Sequence, residues 1–203
     1  MKYLLLTIVI LLHFSYSNAD TWLPPKTKDY YSTDSSYFVR IVPRCVPEKY
    51  WKWVEASPKK KKRFSPQDTT VVPCHTMMFK RTKQGDSLIW KEKLINQIAP
   101  VSAIVSNDGQ YLITFDNWHS LGYGIDVMVI YDKDGMMLKR HKLEDISPFP
   151  INTYTMSISS IWWNCGHQMI DSEKIEICFG TEDEKKESGV YLLTELKMEE
   201  NAP

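Results

Sequence analysis

The chain has 203 residues, 43% of them hydrophobic, and balances 25 Lys and Arg against 25 Asp and Glu. That composition belongs to a globular protein and excludes collagen, a coiled coil, a disordered tail and a multi-pass membrane protein. Zero net charge also removes the global electrostatic case for nucleic-acid binding.

Lys2, the apolar run Leu4–Leu12 and the polar stretch HFSYSNA have the three parts of a secretory signal peptide. Small residues at Ser17 and Ala19 place the cut between Ala19 and Asp20. The apolar run is short of the roughly 20 residues that span a bilayer. Elsewhere no stretch is long enough, so the reading has no transmembrane segment after cleavage. The mature chain, residues 20–203, carries one Lys fewer and the same acids, and its length fits one domain burying roughly 70% of its unfolded surface.

Short runs rich in Val, Ile, Tyr, Phe and Trp then recur between turn residues, which is the strand signal. In chain order they are Tyr37–Val42, Thr76–Arg81, Ser87–Leu94, Tyr111–Phe115, Val127–Tyr131, Met136–Leu143, Ser157–Trp163, Lys174–Phe179 and Val190–Leu196. Between them KQGD, SNDGQ and DKDG place Gly where a tight turn needs positive φ. Helical periodicity is confined to one or two turns at Pro47–Glu55 and Lys142–Ile146. In Trp162-Trp163 the adjacent side chains point to opposite faces, one into the core and the other either exposed for a ligand or covered by a loop. EDEKKES, residues 182–188, reads as a polar hairpin tip. The expected class is all-β, built from antiparallel hairpin repeats.

Two internal matches support this. YSTDSSYFVRI (Tyr31–Ile41) aligns with VSNDGQYLITF (Val105–Phe115) at an offset of 74. Thr76–Leu94 aligns with Asp126–Leu143 at an offset of 50, closing to 49 after the turn. The first unit therefore contains an insertion between its halves. A third unit over Ser157–Met198 matches more weakly.

Export implies an oxidising compartment, and the cysteines are even in number: Cys45, Cys74, Cys165 and Cys178. Four cysteines allow three pairings. Cys45–Cys74 and Cys165–Cys178 are favoured, because the first pair would close the insertion at its base. With no C-x2-C spacing, zinc is not expected, nor any other metal or cofactor.

The segment S-x-D-G-x-Y with its hydrophobic strand, followed by VIYDKDGMMLKRHKL, resembles the blades of β-propeller-like repeat proteins. SNDGQYLITFDNWHSLGYGIDVMVIYDKDG is similar to an uncharacterised group of small secreted bacterial proteins, the likeness covering roughly residues 100–165. The resemblance implies a propeller-like β fold and carries no assigned activity. Two clear units and a weaker third fall short of the four blades a propeller usually needs. An open sheet stack, a sandwich, or a ring completed by a homo-oligomer therefore all stay open.

Two segments carry candidate binding residues. The strand connection FDNWHSLGYG gathers Asp116, Trp118, His119 and Tyr123, an aromatic platform with a titratable imidazole between flexible glycines. It lacks a nucleophile elbow, so no catalytic residues are assigned. The insertion carries Trp51 and Trp53 ahead of Lys59, Lys60, Lys61, Lys62 and Arg63. Aromatics beside consecutive cations suit a polyanion such as an acidic glycan or anionic lipid headgroups. The turn at Asp132–Gly135 lacks the later acidic ligands of a calcium loop.

The reading is an exported, non-catalytic binding protein, periplasmic or extracellular, that recognises a protein or glycan and no nucleic acid. An envelope structural or assembly factor is the alternative, and a hydrolase has the least support.

Overall fold

The computed structural model describes residues 22–199. The expected signal peptide lies outside the described residues. The fold is all-β, and its main elements are three four-stranded antiparallel meanders. The first sheet is β1 (Lys28–Tyr31), β2 (Tyr37–Val42), β3 (His75–Thr82) and β4 (Gly85–Lys93). The second is β5 (Pro100–Val105), β6 (Leu112–Asn117), β7 (Met128–Tyr131) and β8 (Met137–His141). A two-stranded ladder of β9 (Thr155–Met156) and β10 (Ile161–Trp162) leads to the third sheet. That sheet comprises β11 (Asn164–Met169), β12 (Lys174–Gly180), β13 (Lys186–Leu192) and β14 (Lys197–Met198). The weak third repeat is thus a complete meander.

The central strands of the second sheet, β6 and β7, are covered on both faces. Met128 and Ile130 of β7 belong to one buried cluster, with Trp163, Ile175, Ile177 and Phe179 of the third sheet region. Val129 and Tyr131, the alternate residues, belong to another, with Val39, Ile41 and Met78 of the first sheet. This explains why β7 reads as an unbroken apolar run: a strand buried on both faces has no solvent side. Among the described residues no buried cluster joins the first and third sheets. The arrangement is propeller-like and open.

On the outer face of the first sheet, stacked rings shield Phe38. Tyr31, Phe38, Phe79 and Leu88 lie in register across all four strands. Tyr31 stacks on Phe38 at 5.1 Å and Phe38 on Phe79 at 4.8 Å. The rings cover one another's faces and turn their edges outward, which leaves Phe38 only 4% exposed.

The repeat seen in sequence is reproduced bond for bond. Ser32 donates through Oγ to Asp34 at 2.8 Å and accepts the Tyr37 N–H at 3.0 Å. Ser106 does the same with Asp108 at 2.6 Å and with the Tyr111 N–H at 2.9 Å. Ser35 takes the left-handed φ of 59° that Gly109 takes at 70°. Gly109 is required for a second reason: a Cβ there would lie 2.5 Å from the Tyr37 ring of the neighbouring sheet. In the third sheet the corresponding turn is shorter. Ile170 N–H donates to the Lys174 carbonyl at 2.9 Å, with no Ser–Tyr pair, which is why the third repeat is faint in sequence.

The insertion is the β2–β3 connection, and the disulfide expected at its base is not formed. Cys45 and Cys74 are both free, the first exposed and the second buried. Cys45 bridges Val72 through two backbone hydrogen bonds of 2.9 and 3.0 Å. This continues the register of Val42 opposite His75, so Cys74 sits two places away along the ladder from the position facing Cys45. A diagonal pair in that register is some 7–8 Å apart, too far for a disulfide. Cys74 instead packs into the core between the first two sheets. The other expected bridge, Cys165–Cys178, is formed between β11 and β12.

Candidate functional site

The insertion folds as three one- to two-turn helices, α1 (Tyr50–Glu55), α2 (Pro58–Lys61) and α3 (Pro66–Thr69). Ser-Pro pairs open α2 and α3, because proline tolerates the first helical position, where no N–H partner is needed. Asp68 accepts the Ser65 N–H at 3.1 Å, closing the start of α3, and pairs with Lys49 at 3.1 Å. No residue between Val42 and Cys74 is buried. This excursion is held by its two-residue bridge at the stem and by ring contacts among Tyr50, Trp51 and Trp53.

Its charge is segregated. Residues 48–68 hold Lys49, Lys52, Lys59, Lys60, Lys61, Lys62 and Arg63 against Glu48, Glu55 and Asp68, in a chain whose total is zero. Lys61 lies over the Trp53 ring at 5.1 Å. Lys52, Lys59, Lys60, Lys62 and Arg63 form no ion pair with any described residue. On α1, Trp51 and Val54 are three residues apart on one face and are 62% and 41% exposed. The surface can therefore offer unneutralised cations and apolar side chains to the same partner.

The second candidate, the β6–β7 connection, turns inward. Asp116 is 2% exposed with φ 56°. Its carboxylate accepts the Gly122 N–H at 2.6 Å and the Trp163 indole N–H at 3.1 Å. Burial raises its pKa to about 7 against these hydrogen bonds, which favour the anion. A Cβ on Gly122 would lie 2.7 Å from Ile161 Cβ, so this close approach demands glycine. Tyr123 donates through its hydroxyl to the Ser157 carbonyl at 2.8 Å. Trp118 donates to the Leu23 carbonyl at 3.0 Å and packs edge-on against Trp22 at 5.3 Å. His119, with φ 71°, is exposed and lies 5.5 Å from Trp22. Asp116, Trp118 and Tyr123 are thus engaged within the fold, and His119 alone of the four is open.

Both connections stand on one rim. Each joins the second to the third strand of its meander. Arg44 N–H donates to the Ile98 carbonyl at 2.8 Å and Trp118 N–H to the adjacent Ala99 carbonyl at 2.9 Å. The same rim holds a feature the sequence reading passed over, a cavity of about 490 Å³ lined by Leu23, Pro25, Tyr30, Ile41, Val101 and Trp118. The cluster Trp22-Leu23-Pro24-Pro25 was its sequence signal, set in a segment without strand periodicity.

Three histidines face neutral partners. His141 Nε2 lies 2.6 Å from the Tyr191 hydroxyl, and His75 Nδ1 lies 3.1 Å from the Pro73 carbonyl oxygen. His167 bonds Asn164 and stacks on Phe115 at 3.9 Å, and burial pushes its pKa down to about 4. Compared with known protein families and with curated proteins, the chain matches none.

Proposed function

We propose that this is an exported, non-catalytic binding protein, periplasmic or extracellular, whose contact surface is the helical excursion. The partner's defining property is a dense array of negative charge. One observation carries the reading: Lys52, Lys59, Lys60, Lys62 and Arg63 are exposed and form no ion pair with any described residue, on an element that contributes no buried residue to the fold. A segment that adds nothing to the core gains nothing from like charges held together; a polyanion repays that repulsion. Export is supported by the basic and apolar leader and by the Cys165–Cys178 bridge. No helix among the described residues is long and apolar enough to cross a membrane. The non-catalytic reading is supported by His75, His141 and His167, each engaged with a neutral partner within the chain.

The test is salt elution of the Asp20–Pro203 chain from immobilised heparin. The wild type is expected to need substantially more salt than a variant with Lys59, Lys60, Lys61, Lys62 and Arg63 changed to Gln. Equal elution of the two would remove the reading.

A further inference from the structure

Resting on that reading, we infer that the polyanion is the headgroup layer of an anionic lipid bilayer, and that the excursion docks there with Trp51 and Val54 entering the interface. Charge alone does not distinguish a lipid surface from an acidic glycan or protein. The apolar residues do. Trp51 and Val54 share an exposed face of α1, whereas the Trp53 ring is covered by Lys61. Trp51, 62% exposed beside the cations in sequence, is an interfacial side chain that a purely ionic contact does not require. A bilayer offers negative charge and, about 5–10 Å below it, an apolar layer. Tryptophan is the side chain that settles at that boundary, and lysines beside it reach back to the phosphates.

The placement on the scaffold fits the same partner. The excursion hangs from a two-residue bridge on one rim, and none of its residues is buried. It can enter an interface without uncovering any core. Docking through so few apolar side chains is peripheral and reversible.

The experiment uses the Asp20–Pro203 chain, which contains every described element, with three probes. These are vesicles of equal parts phosphatidylglycerol and phosphatidylcholine, vesicles of phosphatidylcholine alone, and soluble heparin. Co-sedimentation with the anionic vesicles and not with the neutral ones is expected, weakening steeply with salt. Trp51→Ala combined with Val54→Ala, both exposed positions, is expected to weaken vesicle binding about tenfold, a clearly larger loss than it causes for heparin. Changing Lys59, Lys60, Lys62 and Arg63 to Gln weakens both, by up to roughly a thousandfold for the vesicles. Heparin binding without vesicle binding overturns the bilayer inference and points to an acidic glycan or protein, with the polyanion reading intact. Vesicle binding indifferent to Trp51 and Val54 overturns it likewise. Failure to bind either probe overturns both.

Discussion

The β2–β3 and β6–β7 connections occupy the same place in their meanders and are built to opposite ends. The first puts three helices outside the fold and buries none of their residues. The second folds back and places a carboxylate under the sheets, where Gly122 and Trp163 hydrogen-bond to it. In the third sheet the equivalent connection is a tight turn, with Thr181 N–H bonded to the Lys185 carbonyl at 2.9 Å. One connection therefore serves stability and another is free to serve a partner. Conspicuous polar and aromatic residues in a loop do not by themselves say which.

The largest effect that would sharpen this contrast is at Trp163, which is fully buried and joins Asp116 to the core. Trp163→Ala is expected to cost about 3–5 kcal/mol in denaturant unfolding. A cost near that of a surface substitution would break the contrast. Next, replacing Cys165 and Cys178 together with Ser should cost about 2–3 kcal/mol, from loop entropy over a separation of 13 residues. Reductant should lower the wild-type melting temperature and leave that variant's unchanged.

The pH dependence tests the buried carboxylate with a defined sign. Between about 4 and 7 the folded chain keeps on Asp116 a proton that the unfolded chain has released, so this contribution to stability falls as pH rises. His167 acts the other way. Its folded pKa lies near 4, below the ordinary 6.5, so its contribution rises with pH over that window. Burial lowers the His141 pKa as well, with the same sign. The opposing slopes overlap, and the wild-type curve should be flattened between about 4 and 6.5. Asp116→Asn should leave stability rising with pH there. His167→Phe, which keeps a ring against Phe115, should tilt the curve downward instead. Unfolding midpoints across pH measure both, and identical tilts in the two variants would contradict the assignment.

The stem of the excursion is read by its thiols. Cys45, exposed, should react quickly with a thiol reagent in the native protein. Cys74, buried with its pKa pushed up to about 12, should react only on unfolding. Two thiols silent until reduction would mean that the pair is bridged after all. The smallest effect is expected on the excursion itself: changing Lys59, Lys60, Lys61, Lys62 and Arg63 to Gln should move stability by no more than about 0.5 kcal/mol. A large loss would make the excursion structural and weaken its claim to a partner.

Much of the fold was legible because its determinants are local. Alternating apolar strands and the S-x-D turn act within a few residues, so the offset of 74 between Tyr31–Ile41 and Val105–Phe115 returned as matching hydrogen bonds around Ser32 and Ser106. Side-chain alternation also placed one tryptophan of Trp162-Trp163 in the core and left the other exposed or loop-covered; Trp163 is fully buried and Trp162 is 44% exposed. Strands β1, β5, β9, β11 and β14 were missed, β9 and β14 being only two residues long. KDYY, PVSAIV and NCGHQM interrupt their alternation with polar residues, proline or glycine, and their pairing comes from the neighbouring strand.

The site was legible in part. Composition identified the cations and tryptophans of residues 51–63, and their exposure follows from a segment with too few apolar residues to make a core. Other features depended on which distant segments meet. Asp116 looked like a ligand residue until Trp163, 47 positions away, supplied its hydrogen bond. Cys45 and Cys74 looked paired until register set Val72 opposite Cys45. Propensity, turns and charge are properties of neighbours along the chain, and the sequence alone determined them here. Register, burial and the partner of each polar group depend on contacts between distant residues, and those the tertiary structure decided.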